Sequence, residues 1–405
     1  MAWLTAGGSG ALLAVGILNL VVAFAIKAPC LGPWPGRTVP GHCYTDIMFL
    51  YQVRDLSAHV FPYVHGNYFL GASGNVFMGH GEIEYPVLTG LLAWLTALPG
   101  GGHAPYFVVN AAVLVACGAI TVLLLWRLAG RRAWLFALSP VLTTFALVNW
   151  DLVSVATTVA ALYCRQRGRT YYAAALLALG ACFKLWPGFL LVPLVLEELS
   201  AGRRRRALTA GVLAASIAAA VNGPFIIANW RGWYAPFAYQ AGIGLSTGTS
   251  VWDWVTRTLP VDAVDTLAWA IVALGFGAIA AWSFGVARKC GAFPFVESAF
   301  LMVSWYLVAA KDSSPQYVLW LLPLFVLLRL PVRLWWAQGA LTTVQALMFL
   351  WWDIGAYTVA CFVVTCLQVA ALLLMMHTVL GQQRVEHPVV GRGERRWGGW
   401  SEASA

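Results

Sequence analysis

Residues 203–228 read RRRRALTAGVLAASIAAAVNGPFIIA: four consecutive arginines, Arg203 to Arg206, run straight into a stretch without a single charged side chain. An uncharged apolar run of roughly 20 residues is the length that crosses a bilayer. A basic cluster at one end marks that end as cytoplasmic, because positive loops resist translocation. The same pairing of apolar run and short basic gap recurs at Arg127, Arg131 and Arg132, at Arg165, Arg167 and Arg169, at Arg288 with Lys289, and at Arg329 with Arg333. The repetition predicts an all-α polytopic membrane protein.

Composition agrees. Of 405 residues 60% are hydrophobic and only 10% charged, where a soluble domain carries about a quarter charged. No stretch is left for a soluble catalytic domain. Apolar runs against basic gaps predict about twelve spans, near 10–27, 105–127, 133–148, 150–164, 170–185, 187–200, 207–228, 264–286, 294–310, 316–329, 334–352 and 355–378, with both termini inside. The first reads as a retained signal-anchor. The run 86–98 breaks the parity and is read as a short or re-entrant helix. Residues 1–380 then form one transmembrane domain, and the Arg- and Gly-rich segment 381–405 a disordered cytoplasmic tail.

A net charge of +9 raises nucleic acid as a partner, but the placement of charge argues against it. The basic residues lie in the gaps assigned to the cytoplasm, while Asp46, Asp55, Glu82, Glu84, Asp151, Asp253, Asp262, Asp265, Asp312 and Asp353 fall outside. The excess is topological. The eight cysteines lack the spacing of a zinc or iron–sulfur site, and no cofactor is implied. Cys30 and Cys43 share the first outer loop, where a disulfide and two free thiols are both open.

Two outer loops are long, 28–84 and 229–263. In the first, Thr45 or Asp46 is placed to cap a helix whose apolar residues Ile47, Phe49, Leu50, Val53 and Leu56 alternate with polar ones, as in an amphipathic helix lying along the membrane surface. The second gathers Trp230, Trp233, Tyr234, Tyr239, Trp252 and Trp254, which suit an interfacial belt or the stacking of sugars.

Carboxylates held beside hydrocarbon are costly and point to chemistry. Asp46, at the start of the surface helix, is the candidate general base, with a plain helix cap as its alternative. Asp55 reads as a solvated charge or the partner of Arg54. Glu82 and Glu84 beside Asp46 would form a cluster able to orient a sugar or hold a divalent ion; helix-start chemistry before Pro86 accounts for Glu84 equally. Asn149-Trp150-Asp151 is placed at the outer rim, with an Asx cap as its competing role. Lys184 and Lys311 each end a helix on the outer side, against the positive-inside bias. A lipid phosphate explains them; snorkelling is the alternative. Lys311 is read with Asp312 and the Ser314-Pro315 helix start. Arg54, Arg231 and Arg257 are further cations. His42, His59, His65 and His80 lie in the first outer loop and no histidine falls between His103 and His377, so a base in the later half would be a carboxylate.

Taken in order, Cys43-Tyr44-Thr45-Asp46-Ile47, Glu84-Tyr85-Pro86-Val87-Leu88-Thr89-Gly90, Asn149-Trp150-Asp151, Lys184-Leu185-Trp186-Pro187 and Ser314-Pro315-Gln316-Tyr317 resemble the actinobacterial polytopic glycosyltransferases of family 87. Those are GT-C-type enzymes related to polyprenol-phosphate-mannose-dependent α-mannosyltransferases. The resemblance implies a GT-C-type helix bundle in the plasma membrane and a sugar, most readily mannose, on polyprenyl phosphate. It further implies a glycan or glycolipid acceptor outside the membrane, and inversion at the anomeric carbon. Asp46 matches that family's base. Lys311, Lys184 and Arg54 would then hold the donor phosphate, and Glu84, Tyr85, Asn149, Asp151, Gln316 and Tyr317 the sugar and acceptor. Where better-known mannosyltransferase members carry histidine, this chain has Lys311-Asp312-Ser313-Ser314-Pro315-Gln316-Tyr317. The rival reading is a transporter or flippase of lipid or lipid-linked sugar, which calls for ionisable residues at mid-membrane on broken, repeated helices; a scaffold without catalysis is third.

Overall fold

A computed structural model describes residues 2–32, 44–71, 76–242, 250–255, 258–311, 313–351 and 354–385. The described chain is a succession of helices. The segment 28–84 separates α1 (Ala2–Lys27) from the rest and contains α2 (Asp46–Val53) and the strands β1 (Tyr68–Leu70) and β2 (Val76–Met78). There follow α3 (Val87–Ala97), α4 (His103–Ala129), α5 (Trp134–Ala137), α6 (Pro140–Phe145), α7 (Asp151–Gln166), α8 (Thr170–Phe183), α9 (Leu191–Ser200) and α10 (Arg204–Gly242). The later half holds α11 (Trp252–Val255), α12 (Val261–Cys290), α13 (Phe295–Ala309), α14 (Val318–Leu327), α15 (Val332–Trp351) and α16 (Ile354–Val385).

Among the described residues five helical stretches are long and apolar enough to cross a membrane: Gly8–Leu31, His103–Ala137, Arg204–Ala241, Asp262–Cys290 and Val359–Gln382. The remaining expected spans are shorter or broken, save α15, whose 20 residues include too many polar side chains to qualify. The run 133–148 is split into α5 and α6 by Leu138 and Ser139, because Pro140 at the first turn of α6 has no N–H to continue the preceding helix. The short helix expected at 86–98 forms as α3. The C-terminal segment read as a tail from residue 381 is helical to Val385; residues 386–405 lie outside the described residues.

The hub is α14. Every residue from Val318 to Val326 is buried, as befits a helix that is apolar on all sides. It packs on α4, α7 and α13, so a polar group it presents faces a crowded interior. Small residues bring other helices close. A Cβ at Gly180 of α8 would stand 2.6 Å from the Thr157 hydroxyl of α7, a separation only glycine permits.

Two expectations are corrected. Residues 229–242, read as loop, continue α10 after a kink at Asn229, where φ is −159° and ψ 91°. The reason is side-chain capping: Asn229 Oδ1 accepts from the Gly232 N–H at 3.1 Å, restarting the helix. Its Nδ2 donates to the carbonyls of Val64 (3.1 Å) and Gly66 (2.7 Å), tying the kink to the first outer loop. Gly232 itself touches that loop, since a Cβ there would lie 1.9 Å from the Tyr63 carbonyl oxygen. The second correction is the antiparallel hairpin of β1 and β2, with Phe69 opposite Phe77, where no strand was expected.

Candidate functional site

Thr45 is the N-cap of α2: its hydroxyl accepts from the Met48 N–H at 3.0 Å. That leaves the carboxylate of Asp46 free of the capping role. The helix buries Ile47, Met48, Leu50 and Tyr51 inside the protein, with the Tyr51 ring 4.6 Å from that of Tyr106 on α4. Asp46, half-buried, accepts from the hydroxyl of Tyr44 at 2.5 Å on one oxygen and of Tyr85 at 2.7 Å on the other. Asn149 and Gln316 approach the second oxygen at 3.3 and 3.4 Å. Burial, reinforced by the charge and hydrogen bonds of Asp46, raises both tyrosine hydroxyls well above their ordinary range. They stay protonated donors. Lys27, 6% exposed, donates to the Tyr44 carbonyl at 2.7 Å and completes the cluster.

Arg54 does not pair with Asp55. Its Nε donates to Glu84 Oε1 at 2.8 Å and its Nη2 to the same oxygen. Asp55, in the left-handed region at φ 54°, turns away. It accepts from the Gly81 N–H at 2.9 Å and stands 2.8 Å from the ring of His80. Glu84 thus serves the arginine rather than the start of α3. Glu82 is 1% exposed and neither of its oxygens has a hydrogen-bond partner among the described residues. Burial pushes its carboxyl up to about 9, with Arg54 pulling the other way.

Because this folded value lies above the ordinary 4.5, the contribution of Glu82 to stability is fully present below that lower value and is lost as pH rises toward about 9. Glu82→Gln is therefore expected to flatten the pH dependence of unfolding across this window. At neutral pH it should stabilise the protein by up to about 3 kcal/mol, from about 1.4 kcal/mol for each pH unit above 4.5. Melting curves of both proteins across that range check it; parallel curves rule out a neutral buried Glu82.

Asp151 lies at the start of α7 and is 0% exposed, so it belongs to the interior and not to the rim. Asn149 Oδ1 caps its N–H at 2.9 Å, which is the Asx role. The Asp151 carboxylate meets Lys184 Nζ at 3.0 Å and accepts from Trp320 Nε1 at 2.9 Å. Lys184 follows the last turn of α8 and lies over the rings of Tyr85 (4.8 Å) and Tyr317 (5.4 Å), in cation–π range. Lys311, just past α13, is 4% exposed. Its partners are Asp265 at 3.2 Å and the Ala241 carbonyl. Both lysines are buried and ion-paired, not snorkelling. Asp312, read as the partner of Lys311, lies outside the described residues, as do Arg257 and Cys43; Cys30 is disulfide-bonded.

The two lysines line one cavity of about 310 Å³. Glu84, Tyr85, Tyr317 and Asp265 share its wall, and Trp186, Phe189, Tyr306, Trp320, Trp269 and Tyr234 give it aromatic sides. Trp186 and Trp320 stack with centroids 5.6 Å apart and planes at 9°. Asp46 is one side chain back from this lining, joined to it through Tyr85. The structure therefore gathers Asp46, Glu84, Tyr85, Asn149, Gln316, Tyr317, Asp151 and Lys184 into one network and brings Lys311 to the same cavity. Arg54 reaches it only through Glu84. Among the described residues no group of three or more His, Cys, Asp and Glu side chains has the arrangement of a metal site.

Sequence reasoning assigned no role to Lys27, Asp265, Trp320 or Tyr306. Lys27 carried one signal, a cation at the outer end of the first span, against the positive-inside bias. Of the aromatic walls, Tyr234 belongs to the segment read as able to stack sugars; Trp269, Trp320 and Tyr306 carried no signal, since aromatics inside apolar helices look like core.

A largely helical membrane protein in which two buried lysines and stacked indoles line one cavity, with a half-buried carboxylate one side chain behind it, is the class of molecule that fold and site define. The profile of Glycosyltransferase family 87 matches residues 83–310, more than half of the chain, and the protein belongs to that family. It is a glycosyltransferase. Among proteins of curated function no sequence matches it.

Proposed function

We propose that the protein moves a hexose, mannose in the first instance, from polyprenyl phosphate to a hydroxyl of a glycan or glycolipid. In this reading it is a GT-C-type bundle of the plasma membrane whose twelve apolar runs, short ones included, build the membrane body. Its cavity faces the extracytoplasmic side, opposite the arginine-rich turns, and both termini are cytoplasmic. The observation that carries the proposal is the meeting of Lys184 and Lys311 in one aromatic-walled cavity whose wall residue Tyr85 holds Asp46.

The chemistry runs as an inverting displacement. The acceptor oxygen forms a bond to the anomeric carbon as that carbon's bond to the phosphate oxygen breaks, and the acceptor proton passes to Asp46. The long contacts of Asn149 and Gln316 to Asp46 are those an incoming hydroxyl replaces; the short ones from Tyr44 and Tyr85 orient the carboxylate. A sugar phosphodiester bears one negative charge and the departing monoester gains a second, so cations fixed beforehand favour the transition state over the bound donor. An ammonium has three N–H donors. Lys311 spends two on Asp265 and the Ala241 carbonyl, which leaves one for phosphate. The aromatic walls suit sugar faces and prenyl carbons.

Membranes containing the protein, supplied with radiolabelled polyprenyl-phosphate-mannose, are expected to pass label to endogenous glycan or glycolipid. Matched membranes without the protein should not. Transfer from a nucleotide sugar but not from the lipid-linked one would overturn the donor assignment.

A further inference from the structure

The β1–β2 hairpin presents apolar side chains to the surroundings at a place where the membrane helices end. Phe69, Leu70 and Phe77 are 57%, 67% and 48% exposed, and the rings of Phe69 and Phe77 stack at 5.7 Å. From Asn67 to Gly79 the sequence holds no charged residue. A two-stranded hairpin with bare aromatics is an association hazard in water and has little stability of its own. This one is braced from a single side: the Tyr68 ring lies 6.2 Å from that of Tyr234, and the Arg231 guanidinium lies over it at 5.3 Å. Both partners belong to α10. On the opposite face Phe69 and Phe77 are about half exposed, and among the described residues the ring partner of each is the other.

The depth of that face follows from α10. The helix starts at the arginine cluster, which fixes one headgroup level. At 1.5 Å per residue Trp230 lies about 39 Å further on, against about 30 Å of hydrocarbon and 40 to 45 Å including headgroups. Trp230, 57% exposed, thus stands at the far interface, where tryptophan is favoured. Just below it Ile227 is 88% exposed on a helix apolar enough to span. The hairpin packs on this end of α10 through Tyr234 and Arg231, which sets its level beside Trp230. Strand edges carry unpaired N–H and C=O groups that hydrocarbon does not tolerate, so the hairpin reaches the interfacial layer and no deeper.

We propose that this hairpin is a membrane-interface wedge, its Phe69 and Phe77 rings buried among lipid headgroups and upper acyl carbons beside Trp230. The occupant is the bilayer itself. The assignment does not depend on which sugar donor the cavity takes.

The test uses the full chain in vesicles of phosphatidylcholine with a minor share of phosphatidylglycerol. Trifluoromethyl-phenylalanine, close in shape to the native side chain, replaces Phe69 and, separately, Phe77. A reference probe stands at Gln166, exposed in the Arg165–Arg169 turn. Fluorine relaxation by a water-soluble gadolinium chelate should be strong at the reference and lost at the two hairpin sites, while lipid bearing a nitroxide near its headgroup broadens the hairpin signals. Equal chelate effects at all three sites overturn the proposal. So does shielding at the hairpin that nitroxide lipid leaves unchanged: reversed by dilution it marks a second copy, and present only with acceptor glycan it marks a glycan surface.

Discussion

Asp46→Asn is expected to lower the rate of sugar transfer by about 10² to 10⁴-fold, the range a positioned general base supplies, with the protein still folded. Asparagine keeps the shape of the side chain and one carbonyl oxygen, so one of the tyrosine hydroxyls retains its acceptor. What is lost is the oxygen that receives the proton. Stability should change little, because Thr45 and not Asp46 caps α2. Tyr85→Phe is the companion: it removes the 2.7 Å hydrogen bond and loosens the carboxylate without deleting it, so its loss should be the smaller. Transfer from lipid-linked sugar by Asp46→Asn at near the parent rate, in membranes holding equal amounts of protein, would end the assignment of the base.

Lys184→Met should be the most destabilising single change at the site. Asp151 is fully buried, one of its oxygens has no hydrogen-bond partner among the described residues, and Lys184 supplies the opposite charge at 3.0 Å. Removing one partner of a buried pair costs about 3 to 5 kcal/mol, because the remaining charge is left unpaired in a poorly polarisable interior. The double variant Lys184→Met with Asp151→Asn removes both charges and keeps an acceptor for Trp320. It should recover most of that loss. Thermal unfolding in detergent, followed by tryptophan emission, gives both numbers. If Lys184 also meets the donor phosphate, the repacked double variant remains inactive; a stable and active double variant would confine the lysine to a structural role.

The parts legible in the sequence are those that depend on short windows. Apolar runs beside arginine clusters announced a helical membrane protein, and Thr45 before Asp46 announced a helix start. Lys184 and Lys311 stood out because each ends an apolar run at the end opposite its arginine-rich gap, where a positive charge is unfavourable without a partner. The partners were another matter. Asp55 is the neighbour in the chain, yet Arg54 pairs with Glu84, and Lys311 meets Asp265 from another helix. The left-handed backbone at Asp55 turns its side chain toward Gly81 and His80, while the folded bundle brings distant side chains face to face. The hairpin was missed because three-residue strands leave almost no alternation to read, and the helical course of 229–242 because aromatic and glycine-rich composition resembles a loop.

Hydropathy and charge are sums over neighbouring residues, so the chain alone determined that this is a bundle of membrane helices whose arginines cluster between apolar runs. It also named the two lysines and the aspartate. Whether those groups meet was decided only by packing. Gln316 touches an aspartate 270 positions away, and Trp320 reaches Asp151 because α14 is buried on every side. Contacts of a few ångströms across such separations depend on how ten or more helices settle against one another, and no local window contains that sum.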